Sequence, residues 1–465
     1  MRKVFFLIAV VLISTVCASA QKNDKEITGE YLRSSLYTII LDDHGLMDSI
    51  KAKIIKETFF STPLPEKFND HNLADKFRTF NPATYTVTPE DEAKFNSEDA
   101  KPQKKKGGFG SMMGSIGKSV ASSATAGLVD TTDTKQLPVK FVKFFEENAI
   151  ANQIVAKWYN VDSKYDDASS SFFNMELIKQ RGLYNATEFD KSIADKSARG
   201  IQLLADAGEN LIKGTFVVGI RFNYVSKEEI AKQLQATTSA ISGLLGGKVA
   251  AIADAAAQVG GAVAGKGYVI KATAFLYQLE WDEEVSNLFY TDYYNATDLS
   301  DFYNSKAFKF TYVGSESEWA DIQSTIFSKK TEEELVQRAA IRSIDEVIAK
   351  LQKKFEVFRT KTPLLTVEPE LTAQIGLKEG LKAGDKYEVL EKTEDPETGI
   401  AQYKRVDVIK VEKNMIWDNR YAADEEAAEK AKESGKEEAP KAKATTFKGG
   451  KKNKMYPGML IRQID

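Results

Sequence analysis

The sequence of 465 residues contains one cysteine, Cys17, and two histidines, His44 and His71. The first twenty residues carry Cys17 and combine a basic start, an apolar stretch and a small-x-small sequence at 18–20. This is the pattern of a secretory signal peptide, so residues 1–20 are predicted to be one, with cleavage after Ala20. The rest of the chain then has no thiol. It can form no disulfide, use no cysteine nucleophile and build no thiolate metal site.

The absence of cysteine also bears on the compartment. Export without disulfides is more typical of the bacterial cell envelope than of disulfide-stapled secreted domains. We therefore expect an exported protein, either periplasmic or associated with the outer membrane of a Gram-negative bacterium. A lipoprotein would use Cys17 as the lipidated residue, but Val16 is bulkier than the residue usual before such a cysteine. After residue 20 no apolar run reaches the about 20 residues of a membrane-spanning helix, so membrane contact would need another means.

Motifs for catalysis are also absent. The histidines lack the spacing of a zinc-protease motif, and the nucleophile-elbow sequence Gly-x-Ser-x-Gly does not occur. Residues 117–119, Gly-Lys-Ser, resemble the end of a phosphate-binding loop, but Met112 stands where a Walker A motif needs glycine. The acidic clusters lack the spacing of a calcium loop. We expect a protein that is not an enzyme, with no catalytic residue, cofactor or metal site.

Charge of one sign is not in excess either. Lys and Arg number 64 against 67 Asp and Glu, so no global field favours nucleic acid, and we expect no nucleic-acid partner. Aromatic residues are plentiful, with 26 Phe and 18 Tyr. Such residues suit packed sheet faces and buried contact surfaces.

The chain is organised around two strands predicted at 215–225 and 268–281, separated by a small-residue insert at 226–267. Alternation in the first strand predicts a half-buried strand with two distinct faces. One face carries Phe216, Val218, Ile220, Phe222 and Tyr224, and the other carries Val217, Arg221 and Asn223.

Further periodic stretches complete the predicted fold. Strands are expected near 30–41 and 308–312, and helices at 46–60, from 137, at 187–212 and at 331–358. The last begins with the capping box Thr331 and Glu334. After Pro363 short strands and glycine turns take over.

These stretches predict an α+β protein: an N-terminal α/β sandwich domain and a small, SH3-like C-terminal β-barrel. An N-terminal segment with a Gly-rich linker covers 21–136, and the α/β core domain covers 137–360. The barrel covers 361–465 and is interrupted by a charged insert at 422–454, which we expect to be a solvated disordered or helical loop.

Two segments carry a resemblance to known families. Residues 206–214, Asp-Ala-Gly-Glu-Asn-Leu-Ile-Lys-Gly, lead from a helix into a strand and resemble the core of the curli-secretion-channel proteins. Residues 376–385, with the closing Pro-Gly-Met-Leu-Ile of 457–461, are similar to the small barrel that ends the flagellar-assembly T proteins. The chain also resembles exported proteins of the Bacteroidota. The resemblance implies a role in envelope assembly.

Two surfaces are candidates for function. The insert could form an oligomer or membrane contact, because small residues permit close backbone approach. Its apolar residues are Ile241, Leu244, Leu245, Val249, Ile252, Val259 and Val263. The alternative is a loop packed on the same protein, which Lys248, Asp254 and the glycines favour.

The second candidate is an aromatic cluster after the second strand. Tyr290, Tyr293, Tyr294 and Tyr303 could stack on a glycan, or they could pack in the core. We therefore expect a non-catalytic assembly or interaction role in the envelope, with envelope proteins or self-association as the partner and with possible oligomer formation and membrane association. The alternative is a glycan-binding or glycan-processing protein of the periplasm or cell surface.

Overall fold

A mixed six-stranded sheet forms the centre of the first half of the protein. The computed structural model describes residues 34–42, 49–65, 67–98, 131–161, 172–178, 211–226, 267–323, 330–394, 401–435 and 442–464. The strands are β1 Ser34–Leu41, β2 Phe68–Asp70, β3 Thr79–Phe80, β4 Thr215–Ser226, β5 Gly267–Leu279 and β6 Phe310–Gln323. Their order is β2-β1-β4-β5-β6, and β3 also pairs with β1. β1 is parallel to its neighbours, and β4, β5 and β6 are antiparallel.

The α-helices of the described residues are α1 Ser49–Ser61, α2 Pro89–Glu98, α3 Thr131–Glu147, α4 Ile150–Trp158, α5 Glu283–Leu288, α6 Ser300–Asn304, α7 Glu332–Lys354 and α8 Ala423–Ser434. Both faces of the sheet are covered: α1 and α7 pack on one face, and α3 and α4 pack on the other. A five-residue π-helix, Phe289–Tyr293, follows α5 directly.

The alternating faces predicted for β4 are confirmed. On one face, Phe216, Val218, Ile220 and Phe222 pack in the apolar cluster that contains the core residues of α7. Val217, on the opposite face, belongs to the aromatic cluster that contains Phe141 of α3. The prediction of a half-buried strand is wrong, because β4 is covered on both sides. Even Arg221 is only 3% exposed, and Asn223 is also buried.

The long helix α7 begins where the sequence predicts. The Thr331 hydroxyl accepts a hydrogen bond from the Glu334 amide, and the Glu334 carboxylate accepts one from the Thr331 amide at 2.7 Å. The capping box thereby gives partners to two amides, those of Thr331 and Glu334, that have none within the helix. The α-helix ends at Lys354, earlier than predicted, and a short 3-10 turn, Glu356–Phe358, follows.

A closed six-stranded barrel forms the C-terminal part, as predicted. Its strands are β7 Lys361–Thr366, β8 Leu371–Ala373, β9 Lys386–Glu394, β10 Ala401–Val411, β11 Thr445–Lys448 and β12 Leu460–Ile464, in the order β10-β11-β8-β7-β12-β9. Side chains from all six strands fill its apolar core.

The prediction of a solvated insert at 422–454 is wrong for β11, which lies within it. β11 is a barrel strand, and its Thr445 and Phe447 are buried. α8 also lies within it and agrees with the helical alternative: its described residues other than Ala423 are exposed or half-buried, and Glu425 and Glu426 form ion pairs with α7.

Several predictions fall outside the described residues. They concern the signal peptide at 1–20, the Gly-rich linker, the insert between β4 and β5, and all but the last two residues of the helix at 187–212.

Candidate binding cleft beside Trp417

The barrel and α8 are attached to α7 along one polar stripe of that helix. Arg338, Arg342, Asp345, Ala349 and Lys353 recur at helical spacing and therefore share a face. All the described residues that carry these contacts belong to one compact unit. The sheet face of α7 is apolar, so this helix is buried on two sides, one apolar and one charged.

The first half of the stripe holds α8. Arg338 forms an ion pair with Glu425, in the first turn of α8. Arg342 donates to the carbonyl oxygen of Tyr421 at 2.8 Å and lies 2.8 Å from Glu426. Because both arginines are largely buried, these bonds fix the start of α8 against α7.

The second half of the stripe holds the barrel. The ε-amino group of Lys353 donates to the Gly380 carbonyl oxygen at 2.7 Å and to Asp385 at 3.0 Å. Asp345 lies 3.9 Å from Lys378. Burial raises the pKa of the Asp345 carboxyl to about 7, although the nearby Lys378 acts in the opposite direction.

Two loops of the barrel are joined beside this stripe. Gly376 forms an isolated parallel bridge with Trp417, and the Leu377 amide donates to the Trp417 carbonyl oxygen at 2.9 Å. A Cβ at position 376 would lie 2.2 Å from that oxygen, so only glycine fits there. Asn419 completes the junction, accepting from the Lys378 amide and donating to Glu379, each at 2.9 Å.

A cleft of about 580 Å³ opens between these loops and the first turn of α8. This volume lies within the range of about 300–1,000 Å³ that is usual for small-molecule sites. Its walls include Gln374, Lys378, Trp417, Asp418, Asn419 and Arg420. Because both loops are held by hydrogen bonds to their backbones, the cleft is preformed.

Most charged groups of the cleft are held in ion pairs. Asp418 accepts two hydrogen bonds from Arg420, at 2.9 and 2.7 Å, and these bonds lower the pKa of the Asp418 carboxyl. Glu425 pairs with Arg338, outside the cleft, and Glu379 lies 3.8 Å from Lys67. The cleft therefore presents mutually compensated charges.

Trp417 and Gln374 are the side chains that these pairs leave available. The backbone of Trp417 is fixed by its amide, which donates to Thr445 Oγ1 at 3.0 Å. Its side chain is half-buried, and within the described part of the chain its indole N–H has no hydrogen-bond partner. Gln374 is exposed at the opposite loop. The cleft thus offers an aromatic surface and an amide to a ligand.

The four tyrosines predicted as a ligand surface lie elsewhere, in and after the π-helix. Tyr290, Tyr293 and Tyr294 are half-buried against the aromatic core, and Tyr303 is buried. The hydroxyl of Tyr290 lies 2.8 Å from that of Tyr159. Burial raises the pKa of Tyr303 to about 12. The structure brings these tyrosines together, and their role as a ligand surface stays a prediction.

Sequence reasoning missed the cleft because its walls come from separate loops. Two features of the sequence could have pointed to the cleft: a tryptophan beside polar residues at 417–420, and a glycine at 376 that no turn requires. The seven apolar insert residues lie outside the described ranges. In the described part of the chain, no group of three His, Cys, Asp or Glu is placed to hold a metal ion. No helix in that same part is long and apolar enough to cross a membrane.

No family model matches the sequence, and no curated protein matches it either.

Proposed function

We propose that this is a non-catalytic interaction protein of the bacterial cell envelope, which takes part in assembly by holding a partner in the cleft beside Trp417. The observation that carries the proposal is the preformed cleft itself. Its loops are joined by a backbone hydrogen bond and by the side chain of Asn419, and the half-buried Trp417 and the exposed Gln374 line it. Such a site gains affinity because little of its structure must be ordered on binding.

The charges of the cleft support binding over catalysis. A general acid at neutral pH needs a raised pKa, which burial or a neighbouring like charge provides. Asp418 has the opposite property, because its bonds from Arg420 lower its pKa. Glu425 and Glu379 are engaged in ion pairs with Arg338 and Lys67, so these carboxylates hold the walls of the cleft in place. The arrangement suits recognition of a surface more than proton transfer.

The attachment to α7 supports an assembly role. Lys353, Asp345 and Arg342 connect the barrel and α8 to the same helix that packs on the central sheet. A partner bound in the cleft would therefore be held in a fixed position relative to the sheet. We expect that partner to be another envelope protein or a second copy of this chain.

A cross-linking experiment tests the cleft. A photoreactive amino acid replaces Gln374 in the full-length chain expressed in a bacterial host, with or without Trp417→Ala. The same amino acid at Met415, an exposed residue outside the cleft, serves as the control. We expect one discrete adduct from position 374, lost with Trp417→Ala and absent at position 415. Equal adducts from all three chains would contradict the proposal.

Assembly is tested separately with the mature chain, residues 21–465. Size-exclusion chromatography with light scattering compares this chain with a deletion of 239–265. A ring-shaped oligomer that the deletion abolishes would support self-association through the insert. If both chains are the same clean monomer and neither binds membranes, self-association is wrong and the partner must be a different protein.

Glycan binding is the second candidate, and Trp417 favours it. The half-buried indole of Trp417, in a charge-compensated cleft that is also lined by the exposed amide of Gln374, suits a neutral ligand with an apolar ring face and hydroxyl groups. Calorimetric titration with neutral oligosaccharides tests this. Binding lost with Trp417→Ala and kept with Met415→Ala would support it, whereas no heat with any sugar would rule it out.

A further inference from the structure

The outer surface of the barrel has a strongly basic face, formed by other residues than those that line the cleft. Its cations come from four neighbouring strands: Lys361 on β7, Arg462 on β12, Lys386 on β9, and Arg405 and Lys410 on β10. These five residues are called the basic face below.

Strand register places these cations in adjacent rows. Arg462 is directly opposite Lys361 on one side and Glu388 on the other. Lys386 is directly opposite Lys410. Because neighbouring strands are about 4.8 Å apart, the cations lie on a continuous surface of the barrel.

A single buried carboxylate neutralises part of this charge. Glu388 is only 2% exposed and accepts hydrogen bonds from Arg405 at 2.8 Å and from Arg462 at 2.6 Å. Glu356, which is exposed, lies 3.6 Å from Arg462. Both arginines keep further N–H donors beyond those that Glu388 accepts.

The three lysines lack such partners. Lys386 and Lys410 are exposed and form no ion pair with any described residue. Lys361 is half-buried, with its ammonium 5.0 Å from the ring centre of Tyr403. Burial and the neighbouring Arg462 lower the pKa of Lys361, although the nearby Glu388 acts in the opposite direction. An anion at this face would relieve that repulsion.

Exposed apolar side chains border the basic face. Leu365, near the end of β7, is 45% exposed. Val357, next to Glu356, is 47% exposed. Cations beside exposed apolar side chains match the border between lipid headgroups and acyl chains.

We infer that the basic face docks on an anionic phospholipid surface, with headgroup phosphates against its arginines and lysines and with Leu365 and Val357 at the acyl boundary. A lipid surface is favoured over a soluble phosphate because the cations are spread over four strands of a convex barrel instead of converging in a cavity. The inference concerns other residues than the cleft and does not depend on the partner proposed there.

Vesicle co-sedimentation of the chain 21–465 tests this. The probes are vesicles of phosphatidylcholine alone and vesicles that also contain phosphatidylglycerol. We expect binding only to the anionic vesicles, weakening as salt is added. The double variant Lys386→Gln, Lys410→Gln leaves the Glu388 pairs intact. It should bind about 25-fold more weakly, since each cation near such a surface is worth about five-fold.

The control makes the same charge change on the sheet half of the molecule. Lys53→Gln, Lys135→Gln removes two exposed lysines from α1 and α3 and should bind like the parent chain. Equal loss in both double variants, or no loss in either, would overturn the inference. Displacement of the vesicles by inorganic phosphate would instead assign the face to a soluble phosphate.

Two further variants separate this inference from the proposed function. Trp417→Ala should bind vesicles normally, because the indole lies in the cleft. Deletion of 239–265 should leave a salt-sensitive component of vesicle binding. If the deletion abolishes all binding, the membrane contact belongs to the insert and the inference is wrong.

Discussion

The carboxylate of Asp345 lies 3.9 Å from the ammonium group of Lys378, and the pair joins α7 to the barrel. The two charges attract, yet the net effect on Asp345 is dominated by burial, since its side chain is 7% exposed. Removing a carboxylate from water costs more free energy than the attraction of a single ammonium group at this distance contributes. The attachment of the barrel therefore carries an electrostatic cost that depends on pH.

Replacing Asp345 should reveal that cost. Its pKa rises from 3.8 to about 7 on folding, so the folded protein retains a proton that the unfolded chain releases. Between these two values the free energy of unfolding should fall as pH rises, and it should level off above about pH 7. The full shift corresponds to at most about 4 kcal/mol. We expect Asp345→Asn to raise the melting temperature most at pH 8, by a smaller amount at pH 5, and to change it little below the unfolded-state pKa of 3.8.

Thermal unfolding across this pH range measures the effect. Asp301→Asn, at an exposed acid on α6, should leave the pH profile of the parent unchanged. A profile for Asp345→Asn parallel to that of the parent chain would show that the carboxylate is solvated.

Arg342 should be the most important single attachment of α8. It is buried, donates to the Tyr421 carbonyl oxygen and pairs with Glu426. Arg342→Met leaves both partners without their donor, which should cost about 2–4 kcal/mol of unfolding free energy. Urea unfolding measures the loss, and hydrogen exchange should locate it in α8 and the loop before it.

A surface pair on the same helix gives the matched control. Lys354 pairs with Glu316, but its side chain is 41% exposed, so water screens the interaction. Lys354→Met should cost less than about 1 kcal/mol. If the two variants are equally destabilised, the burial of Arg342 contributes nothing to the strength of its contacts.

Helix α7 shows what the sequence can and cannot predict. Its start and its apolar stripe follow from local rules, because Thr331 and Glu334 are three residues apart and the stripe repeats at helical spacing. Its charged stripe was missed, because Arg338 and Arg342 look like solvated residues until their partners are known. Their carboxylate partners, Glu425 and Glu426, lie on α8, in a tract whose composition alone indicates a solvated disordered or helical loop.

The barrel was predicted from the sequence in part, and the cleft was not predicted. Short strands and glycine turns predict a small barrel, whereas β11 was missed because its four residues stand among lysines and glycines. The walls of the cleft meet only because Gly376 bridges to Trp417 in the fold. Pairing between distant loops leaves no periodic signal in a single sequence, so the site could not be predicted.

Gly219, in the middle of β4, shows a constraint of another kind. A Cβ at this position would lie 2.1 Å from Cζ of Phe141, the aromatic ring that covers the strand from α3. Phe141 is fully buried and its ring centre lies 4.4 Å from that of Phe80, so it has little room to move. Gly219→Ala should therefore cost about 1–3 kcal/mol of unfolding free energy through overpacking.

A double-mutant cycle identifies Phe141 as the cause. Phe141→Leu alone should destabilise the protein, because it removes buried ring volume. Combined with Gly219→Ala it should cost at least about 1 kcal/mol less than the sum of the single changes, since the new methyl group occupies space that the ring has left. Gly214→Ala is the control, because its nearest neighbour would be 3.7 Å away, an ordinary contact. Strict additivity in the cycle would mean that the backbone, and not Phe141, excludes a side chain from position 219.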